Sequence, residues 1–409
     1  MNPNSAMGPG DLVLAPGVWR GRSAVGIVLP ALIAVACPGC LAGARGAGAA
    51  AGGEKSARGA KRTTKEKPLR SSGKQGNDDV YDLSRVRREV RAYADALHVP
   101  GKPYGCYQDP RDKAPSLYAS CDVAHMRTIM GEDLRKTLTP TQRNEWIAHI
   151  NSFARPDGTY GPPRKYHSYE HANGMVTGAL GVLGGRQKRP VHFYETFDTP
   201  EEVGPWLEKI DWHRQWGGSH LFWGGMHCFS MSRRCTPAWR ERAFAWLDAE
   251  LDPQTGWWRK GVAPAGPLEP LGGGAHIWPI YQHHGRRFPY PQRVIDSILA
   301  LQKPDGRWLK LGNYMELDAL YGLTYMSSLA PKHRRADILE AAREYGRAFV
   351  ECWPKFLAHK PDLHSLLGAV GSFGLLNQLL PETYKDNVRW TDIFSDVRLY
   401  QTRSVEAVD

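Results

Sequence analysis

The 409-residue chain carries a formal net charge of +11, and 23% of its residues are charged. That charge is unevenly placed: residues 45–77 hold nine Lys or Arg against Glu54 and Glu66, while 78–409 are close to neutral. The basicity therefore describes a tail and excludes a nucleic-acid surface as the main partner site. Nearly all Trp, Tyr and Phe lie beyond residue 78, which leaves roughly 330 residues for one large core.

Residues 1–44 have the pattern of an export leader. Arg20 and Arg22 precede an apolar run over 25–36, the length of a signal-peptide core and too short to span a bilayer. Ala34-Val35-Ala36 offers a small-residue cleavage site, and Cys37 directly after it resembles a bacterial lipoprotein signal. The expectation is export to the periplasm or cell surface, with an N-terminal lipid as the membrane attachment. Residues 45–77 are too polar and too low in complexity to bury a core, and are expected to be a disordered basic linker. The folded domain is expected over 78–409. Its cysteines suit two local disulfides in an oxidising compartment, Cys106–Cys121 and Cys228–Cys235, with Cys352 free. No CxxC pair stands in this region, which argues against a thiolate zinc site.

Helical spacing begins at Val86, Val90, Tyr93 and Leu97, and two kinds of segment then alternate. Charged amphipathic helices are predicted over 139–153, 200–212, 237–251, 289–302 and 332–353, with Pro or Thr at or near their starts. Less charged segments rich in Gly and aromatics run over 119–130, 169–183, 218–231, 273–283, 317–329 and 363–379. Their small residues permit close helix contact. No run shows the period of two that a strand requires. The expected fold is all-α: polar outer helices around Gly-rich inner ones, an (α/α)6 toroid of helical hairpins.

Three turns mark a repeat: RPDGTY at 155–160, DPQTGW at 252–257 and LQKPDGRW at 301–308. In each, Pro ends a helix, Gly supplies positive φ, and an aromatic packs back over the turn. Asp157, Asp252 and Asp305 are spaced at about two periods and one period of a repeat near 50 residues. With the stretches ARPDGTYG, LDPQTGWW and ELDALYGL, these turns make 105–380 resemble the toroid superfamily of terpenoid cyclases and protein prenyltransferases. The resemblance implies a fold. It does not carry chemistry, because the chain has neither the DxDD acid motif of the cyclases nor the Asp-x-Cys zinc pair of the prenyltransferases.

A second register gives the candidate site. Each inner segment opens with a titratable residue ahead of its apolar run: Asp122, His171, His220, His276, Asp318 and His364. Equivalent positions of a toroid fall on one rim, so these groups are expected around one mouth. Asn and His can neutralise a uronate carboxylate, His or Tyr can take its acidic C5 proton, and Tyr can protonate the leaving oxygen. His171, Asn173, His220, His276, Tyr281, Asp318 and Tyr321 are the catalytic candidates. Trp223 and Trp278 are expected as flat faces for sugar rings, with Asp122, His227 and His364 as further substrate contacts. The expected function is an exported carbohydrate-active enzyme on an acidic polysaccharide, a lyase ahead of a hydrolase in which Asp122 and Asp318 serve as acid and base. A surface binding or scaffold toroid and a terpenoid-type small-molecule enzyme are the alternatives. No cofactor is predicted outright. A divalent metal on His171, His220, His276 and Asp318 is the one these residue types would suit.

Overall fold

The computed structural model describes residues 80–407. The leader, the linker and the lipid attachment expected before residue 78 lie outside the described residues.

In chain order the helices are α1 (Leu83–Asp95), α2 (Leu117–Ile129), α3 (Leu134–Thr137), α4 (Pro140–Asn151), α5 (Tyr169–Leu183) and α6 (Pro200–Leu207). A broken helical run follows: α7 (Gln215–Gly218), a π-helical stretch (Phe222–His227) and α8 (Cys228–Ser230). Then come α9 (Pro237–Ala249), α10 (Glu269–His283), α11 (Pro291–Leu301), α12 (Tyr314–Leu329), α13 (Arg335–Ala358), α14 (Leu363–Leu379) and α15 (Thr402–Val405). The one sheet among the described residues pairs β1 (Tyr81–Asp82) with β2 (Tyr384–Lys385) in parallel. The fold is all-α. No described helix is long and apolar enough to cross a membrane.

Local chemistry sets the helix starts. Ser116, Thr139, Ser168, Thr236, Asn313 and Asp362 each accept a backbone N–H of the helix they open. Every residue of α2 is buried, as is nearly all of α5 and α14, whereas α1 buries Leu83, Val86, Val90 and Ala94 along one face. A helix buried all round belongs inside; one with a single apolar stripe belongs outside. The inner segments touch in a cycle: α2 packs on α5, α5 on the π-helix, the π-helix and α7 on α10, α10 on α12, α12 on α14, and α14 on α2. Outside them, α4 lies against α2 and α5, α9 against α6, and α13 against α11, α12 and α14.

The recurrent turns are built alike. Gly158, Gly256 and Gly306 have φ of 76°, 78° and 81°, and the residue before each or shortly before it is a turn-forming Asp or Thr. Two residues on, the aromatic folds back. Trp258 Nε1 donates to the Leu247 carbonyl (3.0 Å), and Trp308 Nε1 to that of Ile298 (2.9 Å), in the last turns of α9 and α11. The register is Gly plus two, so Trp258, and not Trp257, is the repeat's aromatic. Gly105 (φ 88°) and the buried Tyr107 form a fourth copy after α1. It lacks the Asp, which hides it in the sequence.

Beyond α14 the chain returns through the ring. The Thr391 N–H donates to the Ile129 carbonyl at the end of α2 (2.9 Å), and Phe394 packs on Tyr321 of α12 and His276 of α10. The stretch Val397–Tyr400 lies on α5. Tyr400 accepts from Trp223 Nε1 (2.7 Å), donates to the Ile393 carbonyl (2.9 Å) and faces the rings of His227 and His283. The tail therefore lies across the middle of the ring as a plug.

Close approach of α5 and the π-helix depends on Gly224. A Cβ there would stand 1.7 Å from the Glu170 carbonyl oxygen, a backbone atom that cannot swing aside. Gly224→Ala should therefore destabilise the protein by about 3 kcal/mol, the upper end for overpacking. Urea denaturation checks this; an unchanged midpoint would mean that the two helices slide apart freely.

The cysteines differ from expectation. All five described thiols are free. Cys121 lies in the middle of α2 and is fully buried, and Cys228 is buried with its thiol donating to the Trp223 carbonyl, so each is held by its helix and not by a sulfur partner.

Candidate functional site

A cavity of about 460 Å³ opens at the start of the inner helices. His167, His171, His220, His276 and His364 line it together with Trp216, Trp223, Tyr314 and Phe394, and Arg164 and Lys165 stand at its edge. The imidazoles form a continuous contact set. Ring centroids are 4.2 Å apart for His167–His171, 4.7 Å for His171–His220, 5.0 Å for His220–His276 and 5.1 Å for His167–His364. A second cavity, of about 530 Å³, shares Arg164, Lys165 and His364 with the first and adds Tyr118, Asp122 and Asp362.

Four of the five rings are held by a specific partner. His171 Nδ1 is hydrogen-bonded to the Tyr118 hydroxyl (2.9 Å). Ser219 Oγ donates to the Trp216 carbonyl and so accepts from His276 Nδ1 (2.7 Å). His364 Nδ1 donates to Asp122 Oδ1 (2.9 Å), leaving its Nε2 end for the cavity, and Tyr314 stacks on the same ring at 4.8 Å. The carbonyl of Tyr166 meets His220, and Tyr166 holds a left-handed backbone (φ 71°), with its side chain 85% exposed at the rim. A β-carbon in that region is strained, a feature common where a loop must aim a group. Arg164 donates to Asp362 (2.8 Å), itself the side-chain cap of α14.

Burial sets the charge state. It holds His167 down to about 2, His364 to about 3 and His220 to about 4, with His171 and His276 also well below the ordinary value; for all but His364 neighbouring imidazoles push the same way. Beside His364 it is Arg164 that adds to burial. Burial likewise raises Asp122 well above the carboxylate range, against a smaller pull from Arg164. Near neutral pH the cavity therefore presents uncharged imidazoles with free lone pairs, fit to hold a metal ion.

The structure brings His171, His220, His276, Trp223 and His364 of the sequence candidates to this cavity. Asp122 reaches it through His364. Asp318 does not line it: both carboxylate oxygens are buried without a partner, and burial raises the group well above its usual value. The physical reason is register. Tyr118 and Tyr314 stand one helical turn before Asp122 and Asp318 on the same faces of α2 and α12, and it is the tyrosines that occupy the level of the histidines.

The remaining candidates lie elsewhere. Asn173 is a fully buried strut, donating to the Gly224 carbonyl (2.7 Å) and the Tyr194 hydroxyl (2.9 Å) and accepting from Gln187. Tyr281 faces outward and donates to Asp248 (2.7 Å). Tyr321 donates to Gln282 (2.8 Å) under Phe394, and Trp278 is buried between Trp257 and Tyr321. His227 pairs with His283 (3.2 Å) beneath the plug. The contributors that sequence reasoning missed are His167, Tyr118, Tyr314 and Arg164. His167 stands four residues before His171 in the same stretch, and the two tyrosines stand four before the two aspartates, spacings that could have found them.

Comparison of the chain with protein-family models, curated proteins and solved structures finds no match in any of the three.

Proposed function

We propose that the cavity is the active site of an exported enzyme that cleaves an acidic glycan by elimination. The cycle of inner helices is taken as an (α/α)6 toroid, with the site in its mouth. The observation that carries this reading is His364: an uncharged imidazole, oriented by Asp122, stacked against Tyr314 and in the same wall as Arg164. In the proposed reaction the uronate carboxylate lies against the imidazole N–H groups and Arg164, which makes the C5 proton acidic. His364 Nε2 takes that proton, its electron pair forms the C4=C5 double bond, and the C4–O bond breaks. The leaving oxygen receives the Tyr314 hydroxyl proton. Trp216, Trp223 and the exposed Tyr166 offer flat faces for sugar rings.

Incubation of the purified protein with uronic-acid polysaccharides tests this. The expected result is growth of the ultraviolet absorbance of an unsaturated uronate. New reducing ends without that absorbance would replace elimination by hydrolysis, and glycan binding with neither signal would make the molecule a binding protein.

A further inference from the structure

Among the described residues, His167, His171 and His220 are a set whose ligand-capable atoms all lie within 4.8 Å of one another. We propose that these three imidazoles hold one divalent transition-metal ion, of the zinc type, with its remaining coordination position open to the cavity.

Three features support the assignment. Zn–N bonds of about 2.0–2.1 Å place tetrahedral ligand atoms about 3.4 Å apart, so the rings need to close by little more than about 1 Å. Two of the rings are already aimed by groups behind them, His171 by the Tyr118 hydroxyl and His220 by the Tyr166 carbonyl, which is how metal-binding imidazoles are fixed. His167 Nδ1 is buried with no hydrogen-bond partner, an orphan that a metal–nitrogen bond would satisfy. Three neutral nitrogens and no carboxylate favour zinc, copper, nickel or iron over magnesium or calcium. His276 and His364 are outside the set, whose three ligand-capable atoms are the ones that come within 4.8 Å of one another. The ion replaces the His276 and Asp318 ligands expected from sequence with His167, the one of these that shares a loop-to-helix junction with His171.

The site stands on these side chains alone. Its role, receiving the carboxylate of the acidic sugar, rests on the function proposed above. There the ion would supply positive charge beside that carboxylate, which the uncharged imidazoles do not.

The test uses the full chain without a polyhistidine tag, stripped with EDTA and titrated with Zn2+ against a chromophoric chelator. One equivalent should bind with a Kd below micromolar, and Co2+ in its place should give the visible absorption of a four-coordinate ion. His167→Gln and His220→Gln should each weaken binding by about 100-fold or more. His227→Gln, in the buried pair beneath the plug, should leave it unchanged. Should a site variant fail to fold, the wild-type melting temperature decides: Zn2+ should raise it and EDTA should lower it again. Stoichiometry near zero in folded protein, or equal binding in the His167 and His220 variants, would overturn the site. Elimination that survives complete metal removal would remove the ion's role and leave the glycan reading. Tight zinc binding without activity on any uronate would do the reverse.

Discussion

Lowering the pH from 6.5 to 5.5 should lower the stability of the protein. Four histidines away from the cavity are uncharged, His125 and His227 buried and His283 and His284 half-buried: burial holds His125 to about 3 and His283 and His284 to about 4, and His227 lies well below the ordinary value. Neighbours add to this: His283 and His284 beside His227, His364 against His125, and Arg240 near His284, while Asp396 opposes at His125 and His283. The folded values lie below the unfolded value near 6.5, so below that pH the unfolded chain binds more protons and stability falls with pH. Each group contributes up to about 1.4 kcal/mol per pH unit. Asp122 and Asp318 work in the opposite sense, because burial keeps them protonated in the fold where the unfolded chain would ionise them. The five cavity histidines act in the same sense as the other four, and Glu316 and Asp392 in the same sense as the two aspartates. Nine groups therefore work against four, and the net loss over that unit is about 3 kcal/mol, enough to matter against a total of about 5–15 kcal/mol. Urea denaturation across this range measures it. A flat profile would mean that water reaches these imidazoles inside the fold.

His364→Ala should lower kcat on the acidic glycan by about 10²–10⁴-fold, the usual contribution of a positioned base. KM should change little, because Arg164, Trp216 and Trp223, which line the cavity and are proposed to receive the sugar, are left in place. Thermal stability should hold or rise, since a buried polar ring that serves the reaction costs the fold something. Asp122→Leu roughly keeps the volume of the group behind the ring but removes its acceptor oxygen, and should cost about 10–100-fold, as loss of an orienting partner does. Steady-state kinetics with circular dichroism on the same samples separates the outcomes. If both variants lose their folded signal along with activity, His364 and Asp122 are a buried structural pair and the elimination step has no base.

The fold was legible because its signals are periodic and local. Apolar stripes, Pro and Thr at helix starts and Pro-x-Gly turns depend on residues a few positions apart, and α4, α5, α9 and α14 lie within a few residues of their expected places. The run expected over 218–231 did not come out whole, since Gly217, Gly218, Gly224 and Gly225 let it break into α7, a π-helix and α8. The site was half legible for a physical reason. Chemical type alone aligned Asp122 and Asp318 with the histidines, but helices that begin at different heights put those carboxylates a turn deeper. Asn173, two residues past His171, points to a different face of α5 and meets Gly224 instead. His167 depends on the left-handed Tyr166 beside it, a loop conformation with no periodic signature.

The plug gives the molecule a direction in time. Ribosomes deliver the chain from its N-terminus, so all the inner helices exist before Phe394 and Tyr400 can reach the centre. Until they do, Trp223, His227, Tyr321 and the ring's other apolar walls have no cover from within. Trp223 and Tyr400, 177 positions apart, meet only at the close of synthesis. A translation product stopped short of residue 393 would therefore leave these inner-helix side chains uncovered and lack the cavity wall that Ile393 and Phe394 provide.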